Sequence, residues 1–105
     1  MSFKTNLRRL LSFHHETARE AALLLGISEH TVSAWLTGKR MPGRDGLLRL
    51  ADTYDVDTRL LMGDPIEFAR SLADPERIAR AEANIAKASG PSAPVVRLVR
   101  KKRKT

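Results

Sequence analysis

The stretch TAREAALLLGISEHTVSAWLTGKRMP, residues 17–42, predicts two short helices joined by a tight glycine turn. Thr17 and Glu20 have the spacing of a capping box, in which each side chain accepts a hydrogen bond from a backbone amide at a helix start. Gly26 stands where the first helix must end, because a residue in the left-handed conformation is favoured there. Ser28 is a good N-cap for the second helix.

The second helix of this pair has two chemically distinct faces. Its apolar stripe has the spacing i, i+3, i+4 and comprises Val32, Trp35 and Leu36. Trp35 is therefore expected in the core rather than as a stacking platform. The opposite face is short and mostly polar, with Glu29, His30, Ser33, Ala34 and Thr37. A helix with such a face can lie in the major groove of DNA, so the stretch predicts DNA recognition.

The composition fits one small all-helical domain with an appendage. The chain has 105 residues, few aromatic residues and no cysteine, which excludes disulfides and thiolate metal sites. No segment approaches the roughly 18 apolar residues of a membrane span, and we expect no signal peptide. We therefore expect a cytoplasmic protein that is associated with the nucleoid through DNA, without a membrane partner.

The net charge of +7 is unevenly distributed. Residues 1–63 contain nine basic and seven acidic residues, a net +2, and residues 64–89 contain four and five, a net −1. Residues 90–105 contain six basic and no acidic residues, a net +6. A basic tail alone is weak support for a nucleic-acid partner. The DNA interpretation therefore depends on the two-helix stretch.

Apolar periodicity predicts three further helices in the first 63 residues, about 6–15, 44–54 and 58–62, the last capped by Asp57. The expected core of this five-helix domain consists of Leu10, Ala22, Ile27, Val32, Trp35, Leu47, Leu50, Ala51, Val56 and Leu61.

Two Asp-Pro pairs, at 64–65 and 74–75, each predict an N-cap followed by a proline at the first helical position. The first helix has an apolar stripe of Ile66, Ala69, Leu72 and Ala73. The second, about 75–88, has a stripe of Ile78, Ala81, Ile85 and Ala88. This second stripe either packs back on the domain or forms a dimer seam, and the sequence slightly favours the seam. We therefore expect three parts: a domain at 1–63, a helical extension at 64–89 and a basic flexible tail at 90–105.

The two-helix stretch, followed by LLRLADTYDVDTRLLMG at 47–63, resembles the Cro/lambda-repressor-like (XRE) helix-turn-helix family. The resemblance covers residues 7–63. It implies a five-helix DNA-binding domain whose third helix reads the major groove, acting as a homodimer on a double-stranded operator. The implied function is a transcriptional repressor of the phage-immunity or bacterial XRE type. The alternative is an antitoxin-type regulator whose segment 64–105 binds a partner protein.

Carried over by position, the resemblance implies base contacts by Glu29, His30, Ser33 and Ala34. Glu29 can accept from cytosine N4, although a favourable charge at a helix N-terminus explains it equally well. His30 can donate to guanine, Ser33 can bond to either base type, and Ala34 can touch a thymine methyl. The set contains no Arg, Asn or Gln, so we expect part of the discrimination to come from DNA shape.

Phosphate contacts are expected from the helix start and from the segment after the third helix: Ala18, Arg19, Thr37, Lys39, Arg40 and Arg44. Further DNA contacts are expected from the tail, by Arg97, Arg100, Lys101, Lys102, Arg103 and Lys104.

The sequence departs from the family pattern at two places. Ala18 stands where the family often has a phosphate-gripping Gln. Leu11 and Leu36 stand where it often has an Arg–Glu pair, so we predict an apolar contact between them. His14 and His15 are adjacent and poorly placed as metal ligands, and no residues are spaced as a nucleophile motif. We therefore expect no enzymatic activity, metal, cofactor or small-molecule ligand.

Overall fold

The structure, a computed structural model, describes residues 2–89 and contains only α-helices there. The seven helices are α1 (Ser2–Phe13), α2 (Ala18–Leu25), α3 (Glu29–Thr37), α4 (Arg44–Tyr54), α5 (Thr58–Leu61), α6 (Pro65–Leu72) and α7 (Pro75–Ser89). The all-α prediction of five helices and a helical extension is confirmed. None of these helices has both the length and the hydrophobicity of a membrane span. The predicted flexible tail, 90–105, lies outside the described residues.

Local capping signals set most of the helix boundaries. The Thr17 hydroxyl accepts from the Glu20 amide at 3.1 Å, and the Glu20 carboxylate accepts from the Thr17 amide at 2.9 Å. Gly26 and Gly38 end α2 and α3 with φ of 72° and 82°, the left-handed region that favours glycine. The Asp64 carboxylate accepts from the amide of Glu67, the third residue of α6, at 3.0 Å, as the Asp-Pro pattern predicts.

The first helix begins earlier and ends earlier than its predicted bounds of 6–15. Phe3 is buried, and its ring meets Trp35 edge to face with 6.4 Å between the ring centroids. This long-range contact favours helix from Ser2 onward, where the chain has no capping signal of its own. At the other end His15 has a φ of 58°, which is incompatible with a continuing helix.

The core of the described residues extends beyond position 63. Ile27 and Leu47, expected in the core, are only partly buried, as is Ala51. The buried apolar side chains are Phe3, Leu7, Leu10, Leu11, Ala21, Ala22, Leu25, Val32, Trp35, Leu50, Tyr54, Val56, Leu61, Phe68, Leu72 and Ala81. One continuous core therefore includes side chains of the helical extension.

The predicted apolar stripe of α6 is right for Leu72 and wrong for Ile66 and Ala73. Ile66 is 64% exposed and Ala73 is exposed, whereas Phe68 and Leu72 are buried. Phe68 buries much more apolar area than the alanines, so its burial sets the rotation of the helix. In α7, Ala81 is buried and Ile85 packs against the core. Ala81 and Ile85 thus pack back on the domain, which was the less favoured of the two sequence-based alternatives.

Arg77 ties α7 to the carboxyl ends of three other helices. Its guanidinium is buried and donates to the Tyr54 carbonyl at 2.6 Å and to the Leu72 carbonyl at 3.1 Å. It also lies 3.1 Å from His14 Nε2 and 5.4 Å from the centre of the Phe13 ring. Helix carboxyl ends carry partial negative charge, which compensates the buried cation.

Acid is expected to destabilise the protein through His14. Burial, followed by the positive charge of Arg77, lowers the pKa of His14 from 6.5 to about 4. The unfolded chain binds a proton at His14 at a higher pH than the folded protein does. The folded state therefore has its full stability from this group above pH 6.5 and loses stability as the pH falls toward 4. Between pH 7 and pH 5 we expect a loss of about 1 kcal/mol, reduced from the full linkage energy by partial solvent exposure.

The comparison variant for this effect is His14→Gln, whose amide oxygen can accept from Arg77 without titrating. Urea unfolding at pH 7, 6 and 5 measures the difference in unfolding free energy between the two proteins. The wild type should lose stability relative to His14→Gln as the pH falls. A constant difference over this range would contradict a neutral His14 in the folded protein.

Candidate nucleic-acid interface

The turn between α2 and α3 holds the two helices at a fixed angle over the core. Ala22 and Leu25 of α2 and Val32 of α3 are buried between them. Ser28 caps α3, since its hydroxyl accepts from the Thr31 amide at 3.1 Å. The buried face of α3 is thereby defined, and its other face is directed away from the core.

The predicted base-contact residues lie together on this outward side of α3. Glu29 and His30 are exposed, and Ser33 and Ala34 are partly exposed. Trp35 is buried on the opposite side against Phe3, which confirms its assignment to the core. The base contacts themselves remain predictions.

Basic side chains surround the carboxyl end of α3. The amide of Arg40 donates to the Ala34 carbonyl at 3.2 Å, so the chain folds back against the helix after Gly38. Lys39 and Arg40 are exposed there, and Arg44 is exposed at the first position of α4. Their phosphate contacts remain predictions.

Thr37 is a weaker phosphate candidate than the sequence indicates. Its hydroxyl lies 3.2 Å from the Ala34 carbonyl and donates to it. A phosphate oxygen needs a donor, so Thr37 could bind one only by giving up this internal hydrogen bond.

The amino end of α2 offers backbone amides to an anion. The Glu20 amide is bonded to Thr17, whereas the amides of Ala18 and Arg19 occupy the first two helical positions, which have no intrahelical acceptor. The Ala18 side chain packs partly against the core. Any phosphate contact at this residue would therefore be made by its backbone.

Leu11 and Leu36 both contribute to the apolar interior. Leu11 is buried in the core, and Leu36 is partly buried against the same core. An ion pair at these positions would have to be desolvated, so apolar side chains suit this environment. A direct contact between the two leucines remains a prediction.

The structure adds basic residues of α1 that the sequence analysis did not assign to the site. Arg8 Nε donates to the Leu36 carbonyl at 2.9 Å, which places Arg8 at the carboxyl end of α3. The periodicity of α1 identified its buried side only. The available sequence signal was the complete lack of acidic residues in segment 2–13.

Within residues 2–89 the one ion pair is Arg80 with Asp55, at 2.7 Å. The basic side chains around α3 therefore have no carboxylate partner in the described part of the chain. The predicted tail contacts, Arg97, Arg100, Lys101, Lys102, Arg103 and Lys104, lie outside that part.

A capped, turn-linked helix pair has the geometry of a helix-turn-helix DNA-binding domain when its second helix presents a polar side. Here the cations at the end of that helix are unpaired among residues 2–89. The family model described as Helix-turn-helix matches residues 17–61. The match assigns residues 17–61 to the Cro/lambda-repressor-like (XRE) helix-turn-helix type, and it supports a DNA-binding transcriptional regulator of that type. No curated protein and no solved structure matches the chain significantly.

Proposed function

We propose that the protein is a repressor that occupies an operator and thereby blocks RNA polymerase, as expected of the phage-immunity or bacterial XRE type. The outward side of α3 supports this proposal most directly, because Glu29 and His30 are exposed at its start. Lys39 and Arg40 follow its other end and have no ion-pair partner among residues 2–89. Repression by occupying an operator needs no pocket for a small-molecule effector. We further propose that a homodimer binds, with each α3 placed in one half-site of a palindromic site.

In this proposal α3 lies in the major groove and phosphate contacts set its depth. Lys39, Arg40 and Arg44 bind phosphates at one end of α3, and the amides of Ala18 and Arg19 bind one at the start of α2. These contacts orient the protein without reading sequence. Sequence is read by His30 and Ser33 through hydrogen bonds, by Glu29 and Ala34, and by DNA shape.

The packing of the helical extension supports a repressor over an antitoxin. Phe68, Leu72 and Ala81 are buried within the chain. An antitoxin would need apolar surface on this segment to bind its partner protein. Burial of these side chains against the DNA-binding domain leaves Ile66 as the exposed large apolar side chain within residues 64–89.

Selection of bound DNA from a random pool at physiological salt tests the proposed function. We expect enrichment of one palindromic sequence, and the spacing of its half-sites should match a dimer at one helical turn, about 34–36 Å. If no sequence is enriched over competitor DNA, operator binding is refuted.

Two substitutions should separate phosphate binding from base reading. Lys39→Ala is expected to weaken binding to all DNA sequences alike and to lower the salt slope by about 1. His30→Ala is expected to relax the preference at one base pair, by about 1–3 kcal/mol. Titrations of the selected site and its single-base variants at several salt concentrations measure both effects. An equal loss on every sequence from His30→Ala would exclude base reading by this residue.

A further inference from the structure

The outer side of α1 carries a group of basic and hydroxyl side chains, here named the α1 basic strip. Its members line one shallow depression and are Lys4, Thr5, Arg8, Arg9 and Ser12. Arg8 and Arg9 are exposed, and segment 2–13 contains no acidic residue. The strip lies outside the segment 17–61 that matches the helix-turn-helix family model.

Two contacts place the α1 basic strip at the carboxyl end of α3. Arg8 Nε donates to the Leu36 carbonyl at 2.9 Å. The Lys4 side chain lies beside Gly38, with its Cδ 3.3 Å from the position that a Cβ on this glycine would take. The strip therefore adjoins the point where Lys39 and Arg40 leave the helix.

The charged side chains of the α1 basic strip and of the segment around the end of α3 are all positive. Segments 2–13 and 30–44 together contain six Lys and Arg residues and no acidic residue. None of the six forms an ion pair within the described part of the chain. Like charges gathered at one place repel each other, so this surface is suited to an anion.

A purely structural role explains only part of the strip. Arg8 satisfies a carbonyl at the end of α3 and suits the negative end of the helix dipole. That role uses Nε, and neither terminal nitrogen of Arg8 has an acceptor among residues 2–89. Lys4 and Arg9 have no hydrogen-bond or ion-pair partner in the same part of the chain.

We propose that the α1 basic strip binds backbone phosphates of the DNA strand next to the groove that α3 occupies. Arg8, held at Nε, presents both terminal nitrogens to a phosphate, and Lys4 adds a second charge beside it. The strip supplies affinity without sequence information. This inference rests on the proposed DNA-binding function and extends its contact surface to a helix outside the family match.

The test measures the salt dependence of binding to the selected DNA site for Lys4→Gln, for Lys4→Gln with Arg8→Gln, and for Lys87→Gln. Lys87 is an exposed lysine that lies with Asp52 and Asn84 on the α4–α7 side, so its variant removes the same charge elsewhere. Each lost phosphate contact lowers the salt slope by about 0.9. A rise from 50 to 200 mM salt should therefore weaken the double variant about 12-fold less than the wild type.

The outcomes are distinct. Lower slopes for both strip variants, with an unchanged slope for Lys87→Gln and unchanged sequence preference, support the proposal. Equal slopes for Lys4→Gln and Lys87→Gln overturn it, because only long-range charge is then involved. The proposal is also overturned if the double variant binds DNA more weakly at an unchanged salt slope and is less stable in urea. Arg8 would then serve only as a cap of α3. A wild type that binds no DNA refutes the proposed function instead.

Discussion

Phe68→Ala is expected to lower the free energy of unfolding by about 3–5 kcal/mol. Phe68 is fully buried in the core that α6 shares with the DNA-binding helices. The truncation removes apolar area from the core and leaves a cavity. Native domains are stable by only about 5–15 kcal/mol, so this loss is a large part of the total. Urea unfolding followed by circular dichroism measures it, and a shift of the midpoint at constant slope identifies a stability change.

Ile66→Ala is the matched control for Phe68→Ala. Ile66 lies on the same helix and is 64% exposed, so its truncation should cost less than about 1 kcal/mol. DNA binding by Phe68→Ala should fall with the folded fraction at 37 °C. Similar stability losses in the two variants would mean that α6 is not part of the domain core, and residues 1–63 would then be the folding unit that the sequence predicts.

Asn6→Asp is expected to cost at least about 3 kcal/mol at pH 7, because buried carbonyl groups lose their donor and gain a negative neighbour. The Asn6 side chain is fully buried, and its amide nitrogen donates to the Leu61 carbonyl at 2.8 Å and to the Gly63 carbonyl at 3.1 Å. Thermal and urea unfolding at pH 7 measure the loss. The new carboxyl group has a raised pKa in this environment, so the deficit relative to wild type should shrink as the pH falls and the group becomes a donor.

Asn84→Asp provides the control for this change. Asn84 likewise donates to a backbone carbonyl, that of Asp52 at 2.9 Å, but it does so at the surface. The same substitution there should cost less than about 1 kcal/mol. A comparable loss at both positions, or a deficit of Asn6→Asp that does not change with pH, would contradict a buried donor role for Asn6.

Much of the helix pattern could be predicted because its causes are local. The Thr17–Glu20 capping box and Ser28 form hydrogen bonds between residues only three positions apart. The two left-handed glycines end the helices that directly precede them. The bounds of α2 and α3 follow from such signals. Helix α1 lacks them, and its start depends on Phe3 reaching Trp35 across 32 positions in sequence.

The sequence predicted the part of the candidate interface that lies on α3, but not the part that α1 contributes. The polar side of α3 follows from its own periodicity, so the grouping of Glu29, His30 and Ser33 on one side follows from the sequence alone. The position of Arg8 beside Leu36 does not, because it depends on how α1 crosses α3. A periodic pattern indicates which side of a helix is buried but not which neighbour its exposed side adjoins.

The sequence by itself determined helices α2 and α3, their caps and the outward chemistry of α3, because each depends on interactions between residues a few positions apart. Only the tertiary structure decided that Phe68 and Leu72 complete the core and that Arg77 joins three helix ends. It also decided that the α1 basic strip borders the interface. These features depend on packing between distant segments, where long-range burial of apolar area outweighs local preference.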